Sequence, residues 1–209
     1  MQRRRRSWVI GGTALIVCGV LAMLSSSFLG TPAVRAIAIT GDVAWAFGVL
    51  MFAIGLTREQ SLVARKPLGT IALTIVALWP VTSSAIGAVL ESQRTTDAAV
   101  WSALGYVGIL VPVGAGLIAT VQIGRIGVAP HPWRWAPLSV LAGQAALWVL
   151  VQVAYLVVPG DEVQLLAGPL AALGTLAVLA ATLGLGILAL VLAARTRPES
   201  IEVYAPGAP

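Results

Sequence analysis

The stretch RRRRSWVIGGTALIVCGVLAMLSSSFL, residues 3–29, decides the fold. Four arginines stand directly before an uncharged run from Trp8 to Leu29. A helix needs about 20 apolar residues to cross roughly 30 Å of hydrocarbon at ~1.5 Å per residue, and this run is long enough. Five more runs follow, so the expected spans are about 8–29, 36–56, 68–90, 98–121, 136–158 and 165–193. They are continuous rather than alternating with period two, which excludes a transmembrane barrel, whose strands alternate lipid-facing and lumen-facing residues. The expected fold is all-α, a polytopic six-helix transmembrane bundle that can be read as three hairpins.

Composition points the same way. Hydrophobic residues make up 58% of the 209 residues and charged ones 10%, with mean hydropathy +0.94, outside the range of water-soluble domains. Outside the spans remain only a basic segment, 1–7, short connections and a tail, 194–209. Cys18 is the one cysteine and lies inside the first run, so it pairs with nothing in the chain and reads as a small packing residue.

The net charge of +5 conceals two opposed faces. If the first helix enters from the cytoplasm, 11 of the 13 Lys and Arg residues fall on that side: Arg3 to Arg6, Arg58, Arg65, Lys66, Arg125, Arg134, Arg195 and Arg197. With Glu59, Glu199 and Glu202 that face is net +8, whereas Arg35 and Arg94 with Asp42, Glu91, Asp97, Asp161 and Glu162 make the other net -3. This is the positive-inside bias and predicts both termini in the cytoplasm; it needs no nucleic-acid partner. Arginine outnumbers lysine twelve to one, which fits a GC-rich bacterial genome and a bacterial cytoplasmic membrane. Arg5-Arg6 and Ala36-Ile37-Ala38 imitate an export signal and its cleavage site, but the apolar run exceeds the ~7–15 residues of a signal core. The arginines are read as an orientation signal, with Trp8 at the interface.

Trp8, Trp133 and Trp135 near the inner boundary, and Trp101 and Tyr155 near the outer, suit rings that prefer headgroup level. Trp79 and Trp148 fall halfway along their helices and are read as bulky packing groups. Helices three and four can be laid over five and six with an offset of about 70 residues and two one-residue slips. Pro67-Leu68, Ala77-Leu78-Trp79 and Arg125 then meet Pro137-Leu138, Ala146-Leu147-Trp148 and Arg195, which suggests a duplicated hairpin. Gly108, Pro112, Gly116, Thr120 and Gly124 form a small-residue stripe down helix four, where another helix can approach closely. Ala44 and Gly48 on helix two, and Gly168, Ala172, Ala180 and Gly184 on helix six, are shorter versions.

The candidate substrate path is drawn from polar and helix-breaking residues inside the spans. Pro80 and Pro112 each remove an amide donor and free the carbonyl four residues back, those of Val76 and Gly108. The hydroxyls of Thr82, Ser83 and Ser84 are near enough in sequence to serve it, and broken midplane helices line transport sites. Asp42 is the only acidic residue inside a span. It reads either as an intramembrane carboxylate, with Arg35 a candidate partner, or as the N-cap of a helix beginning at Gly41-Asp42. Gln144 and Gln152, two turns apart on helix five, share a face and suit interhelical bonding. Glu91, Asp97, Asp161 and Glu162 lack the spacing of a cation-binding loop.

No catalytic constellation can be assembled. The single histidine, His131, stands in Pro130-His131-Pro132-Trp133-Arg134-Trp135, which reads as an interfacial anchor, and no nucleophile elbow, Walker loop, zinc helix or dinucleotide fingerprint is present. No catalytic residue, metal or cofactor is expected. The expected partners are the lipid bilayer and another membrane protein or a second copy of the chain. The residues favour a non-enzymatic accessory or scaffold protein working through helix–helix contacts. The alternative is a small permease or channel-like transporter with a midplane site at the two proline kinks.

Overall fold

The computed structural model describes residues 2–28, 30–31, 33–55, 61, 66–94, 97–126, 133, 135–157 and 160–195. His131, Arg134, Arg58, Glu59, Arg65 and the tail from 196 lie outside the described residues, as do the side chains of Arg3 to Arg5, Tyr155, Asp161 and Glu162. The elements are α1 (Gln2–Ser27), α2 (Ala33–Ile54), α3 (Pro67–Ser92), α4 (Ala98–Ile126), α5 (Ala136–Val157), α6 (Gly160–Leu179) and α7 (Leu185–Arg195). A five-residue π turn, Ala180–Gly184, joins α6 to α7. The described residues contain six stretches long and apolar enough to cross a membrane, the last running from Leu166 through the π turn to Arg195.

Local chemistry sets the ends. Pro67 opens α3, where its missing amide hydrogen costs nothing and its fixed φ suits a helix. Asp97 opens α4 by accepting the Ala99 amide at 2.9 Å. α2 stops at Gly55, whose φ of +59° lets its amide reach the Met51 carbonyl. Ser61 then donates to the Ala53 carbonyl and ties the following segment back to the helix end. Two expected boundaries move outward: α1 takes in the arginine segment from Gln2, and α6 begins at Gly160 rather than 165.

Packing runs opposite to that of a soluble domain. The most buried residues are alanines, Ala53, Ala77 and Ala119, while Leu110, Leu156 and Leu176 stand on the outside. Lipid tails are as apolar as leucine, so helices are held by close approach of small residues rather than by exclusion of leucine from solvent. The closest approach of one helix backbone to another is on α1 rather than along the α4 stripe. A Cβ on Gly12 would lie 2.9 Å from the Gly186 carbonyl oxygen, and one on Gly186 would lie 2.8 Å from that of Gly12. Gly11 and Gly48 face each other in the same way at 3.2 Å, so α1 lies against α7 on one side and α2 on the other. On α4 only Gly116 and Gly124 have neighbours, Leu141 and Trp135 of the α5 side, while a Cβ on Gly108 or Gly168 would meet nothing within 4 Å.

α1 to α4 pack consecutively, and α7 closes on α1. Their shared core gathers Leu15, Val49, Ala53, Leu73, Ala119 and Ile123. α5 is held loosely: none of its described residues is fully buried, and it touches α4, α6 and the π turn far less extensively than α1 touches α2.

Candidate functional site

Trp8, expected at the interface, is buried against neighbouring helices. It packs edge-on to Phe52, ring centroids 6.2 Å apart at 87°, and against Ala189, Leu192 and Ala193 of α7. Its indole nitrogen has no hydrogen-bond partner among the described residues, which costs about 1–3 kcal/mol for a buried donor. The T-shaped ring contact and the surrounding apolar area oppose that cost.

Between α1 to α5 and the π–α7 segment lies a cavity of about 460 Å³. Both midspan prolines line it: Pro80 from α3 and Pro112 from α4, with Gly108, Gly116 and Thr120 beside Pro112; α3 and α4 each run through their proline as one helix. Five of the seven tryptophans also line it, namely Trp8, Trp45, Trp79, Trp133 and Trp148. Trp79 and Trp148 are the pair matched by the 70-residue offset, and they occupy the same wall chemistry from α3 and α5. Gln144 is the other polar group of the wall. It makes no hydrogen bond among the described residues, whereas the Thr120 hydroxyl donates to the Leu117 carbonyl at 3.0 Å.

The carbonyl freed by Pro80 has found a partner, though not a hydroxyl. The Trp45 indole nitrogen of α2 donates to the Val76 carbonyl at 3.2 Å. Thr82 and Ser83, expected near this carbonyl, donate instead to Leu78 and Pro80 carbonyls of their own helix at 2.9 Å each, the usual local bond of a helical hydroxyl. The Gly108 carbonyl freed by Pro112 receives no side-chain donor among the described residues. Gly116 against Leu141 and Gly124 against Trp135 fix the antiparallel register of α4 and α5, and that register puts Gln144 at the level of the Pro112 kink.

Asp42 and Ser84 come together outside this cavity. The Ser84 hydroxyl donates to Asp42 Oδ2 at 2.7 Å across the α2–α3 seam. Because α2 starts at Ala33, Asp42 stands roughly 13 Å into the helix at ~1.5 Å per residue, and its N-cap reading is overturned. It is half-buried and within electrostatic reach of Cys18 on α1. Arg35 is exposed and forms no ion pair among the described residues, so it is not the partner. Gln152 is half-buried, does not line the cavity and, like Gln144, bonds to no other helix among the described residues.

The expected path therefore splits. Pro80, Pro112, Gln144, Gly108, Gly116 and Thr120 line one cavity, while Asp42 with Ser84 forms a separate polar contact, and Thr82, Ser83, Gln152 and Gly124 belong to neither. Trp45 was missed by the sequence reading, and its only signal was a midspan tryptophan one turn beyond the midspan carboxylate. The Gly12–Gly186 seam was missed because the glycines of α1, Gly11, Gly12 and Gly19, do not show which helix will face them. Among the described residues no three His, Cys, Asp or Glu side chains gather as metal ligands do. No protein family, curated protein or solved structure matches this chain.

Proposed function

We propose that this is a non-enzymatic integral membrane protein, oriented with both termini in the cytoplasm of a bacterial cell, that holds a small apolar molecule in the cavity at its proline kinks, as a small permease or carrier does. The observation that carries this reading is the cavity itself. At about 460 Å³ it falls within the ~300–1,000 Å³ of small-molecule sites, and such sites form between the helices of bundles. An ion path is disfavoured by the same wall, since Asp42, the one intramembrane carboxylate, is not part of it. The orientation rests on the arginine distribution.

A second reading, an accessory protein that holds another membrane protein, is supported by glycines that have no neighbour. Gly105 on α4, Gly143 on α5 and Gly174 on α6 have open space where a Cβ would stand, and small residues are what allow a foreign helix to approach.

Native mass spectrometry of the protein extracted into lipid nanodiscs from its own host separates the two. A lone or self-associated chain carrying a reproducible small molecule is the expected result. A stoichiometric second protein with an empty cavity overturns the carrier reading in favour of the accessory one.

A further inference from the structure

The cavity wall has a chemistry more specific than apolar. The fully buried residues of the core around Ala53 and Ala119 are aliphatic or small. Here five tryptophans line one space. Trp45 is fixed by its bond to Val76, and Trp79 and Trp148 stand half-buried on α3 and α5. Aromatic walls gain most from a flat π-system, which they can stack or meet edge to face. A saturated chain gains only contact area from them.

Gln144 adds a polar requirement at the same depth. Its amide carries donors and an acceptor, and it stands in a helix apolar enough to span a membrane, at the level of the Pro112 kink, without a partner among the described residues. Polar groups in hydrocarbon are satisfied internally or by what they enclose. A phospholipid keeps its ester oxygens near the headgroups, whereas this amide sits about 12 Å along α5 at ~1.5 Å per residue. The complementary molecule dissolves in the bilayer interior and carries its oxygen there, on a ring.

Resting on the carrier reading, we propose that the cavity binds a lipid-soluble ring compound with carbonyl oxygens, the chemistry of an isoprenoid quinone, with the Gln144 amide hydrogen-bonded to a ring oxygen and the Trp79 and Trp148 indoles packing the ring. Entry is on the α5 side, where packing is loosest.

The test is titration of the full-length protein in phosphatidylcholine nanodiscs with decylubiquinone, read by quenching of intrinsic tryptophan fluorescence, with 1-dodecanol as a ringless competitor. Saturable quenching is expected, resisted by dodecanol and weakened roughly five- to tenfold in Gln144→Leu, the loss of about one hydrogen bond. Gly108→Leu serves as the second variant. A Cβ there meets nothing within 4 Å and Gly108 lines the cavity, so the side chain takes up cavity volume and should abolish saturable quenching. If dodecanol displaces the quinone at equal concentration and Gln144→Leu changes nothing, the ring-and-oxygen assignment is overturned while the cavity remains a binding site. If quenching is not saturable and Gly108→Leu leaves it unchanged, the cavity reading fails as well.

Discussion

The α1–α7 seam yields the sharpest stability prediction. In Gly12→Ala the new Cβ stands 2.9 Å from the Gly186 carbonyl oxygen and 3.2 Å from Ala189 Cβ. In Gly186→Ala it stands 2.8 Å from the Gly12 carbonyl oxygen and 3.2 Å from the Ile16 amide nitrogen. In each case a backbone carbonyl oxygen is among the nearest obstacles, so a rotamer change alone does not relieve the clash, and the two helices must separate by about half an ångström to reach ordinary contact. A gap of ~0.5–1 Å forfeits a quarter to a half of each dispersion contact along the seam, and overpacking of this kind costs about 1–3 kcal/mol. For a chain of this length each kcal/mol is worth roughly 2–4 °C, so either variant should melt roughly 2–12 °C lower, followed by circular dichroism in nanodiscs. The double variant should cost less than the sum, because helices already parted by one methyl accommodate the other. Gly87→Ala, Gly105→Ala and Gly143→Ala are the controls, since a Cβ at each meets nothing within 4 Å. If Gly12→Ala melts with Gly105→Ala, the close-approach account of this bundle is wrong.

Other outcomes follow from the same contacts. Trp45→Phe removes the donor to Val76 and leaves a carbonyl unsatisfied, at a cost of about 1–3 kcal/mol; adding Pro80→Ala restores an amide donor in the helix, so the double variant should recover stability in a thermal double-mutant cycle. Asp42→Asn should leave decylubiquinone binding unchanged within about twofold, because the group lies outside the cavity, whereas Ser84→Ala, which strips Asp42 of its donor, should lower the melting temperature more than Asp42→Asn does. Cys18 is buried, so a cysteine introduced at Gln93 should be the sole site labelled by impermeant maleimide in intact cells, while one at Lys66 should label only after permeabilisation; the reverse result inverts the proposed orientation. Hydrogen exchange in nanodiscs should be faster in the turn after Pro112 than in the turn after Pro80, since α2 bonds to α3 on both sides of Pro80.

The number of helices was legible because hydropathy sums over some twenty residues, and no single misreading removes a span. Which face each helix turns inward was not legible, for a reason particular to lipid: leucine is at home on either side, so burial leaves almost no periodic trace. The α4 stripe shows the consequence. Its spacing is regular, yet Gly108 borders empty space while Gly12, outside the stripes singled out in the sequence, lies against backbone. The prolines were read as helix breakers; α3 and α4 run continuously through them, and both residues line the cavity. The partner of the freed Val76 carbonyl was not, since an indole reaching from α2 is invisible in the sequence of α3. Asp42 had two readings that hinged on where α2 begins, and a start at Ala33 removes one of them.

Pro80 and Pro112 look alike in sequence and differ in circumstance. The α3 kink is bracketed: Val76 lies one turn before it and Ser84 one turn after, and each is hydrogen-bonded to α2, through Trp45 and Asp42. A hinge there would have to break both bonds together in a medium that offers no replacement partner. Pro112 has no such bracket among the described residues, and the helix beside it, α5, has no fully buried residue there to hold it. On the carrier reading, the motion that admits a molecule is expected of α5, while α1 to α4 and α7 form the wall held by the shared core. The Asp42–Ser84 contact then acts as a staple of that wall: it keeps Trp45 and Trp79 in place on one side of the cavity while Gln144 and Trp148 approach from the other.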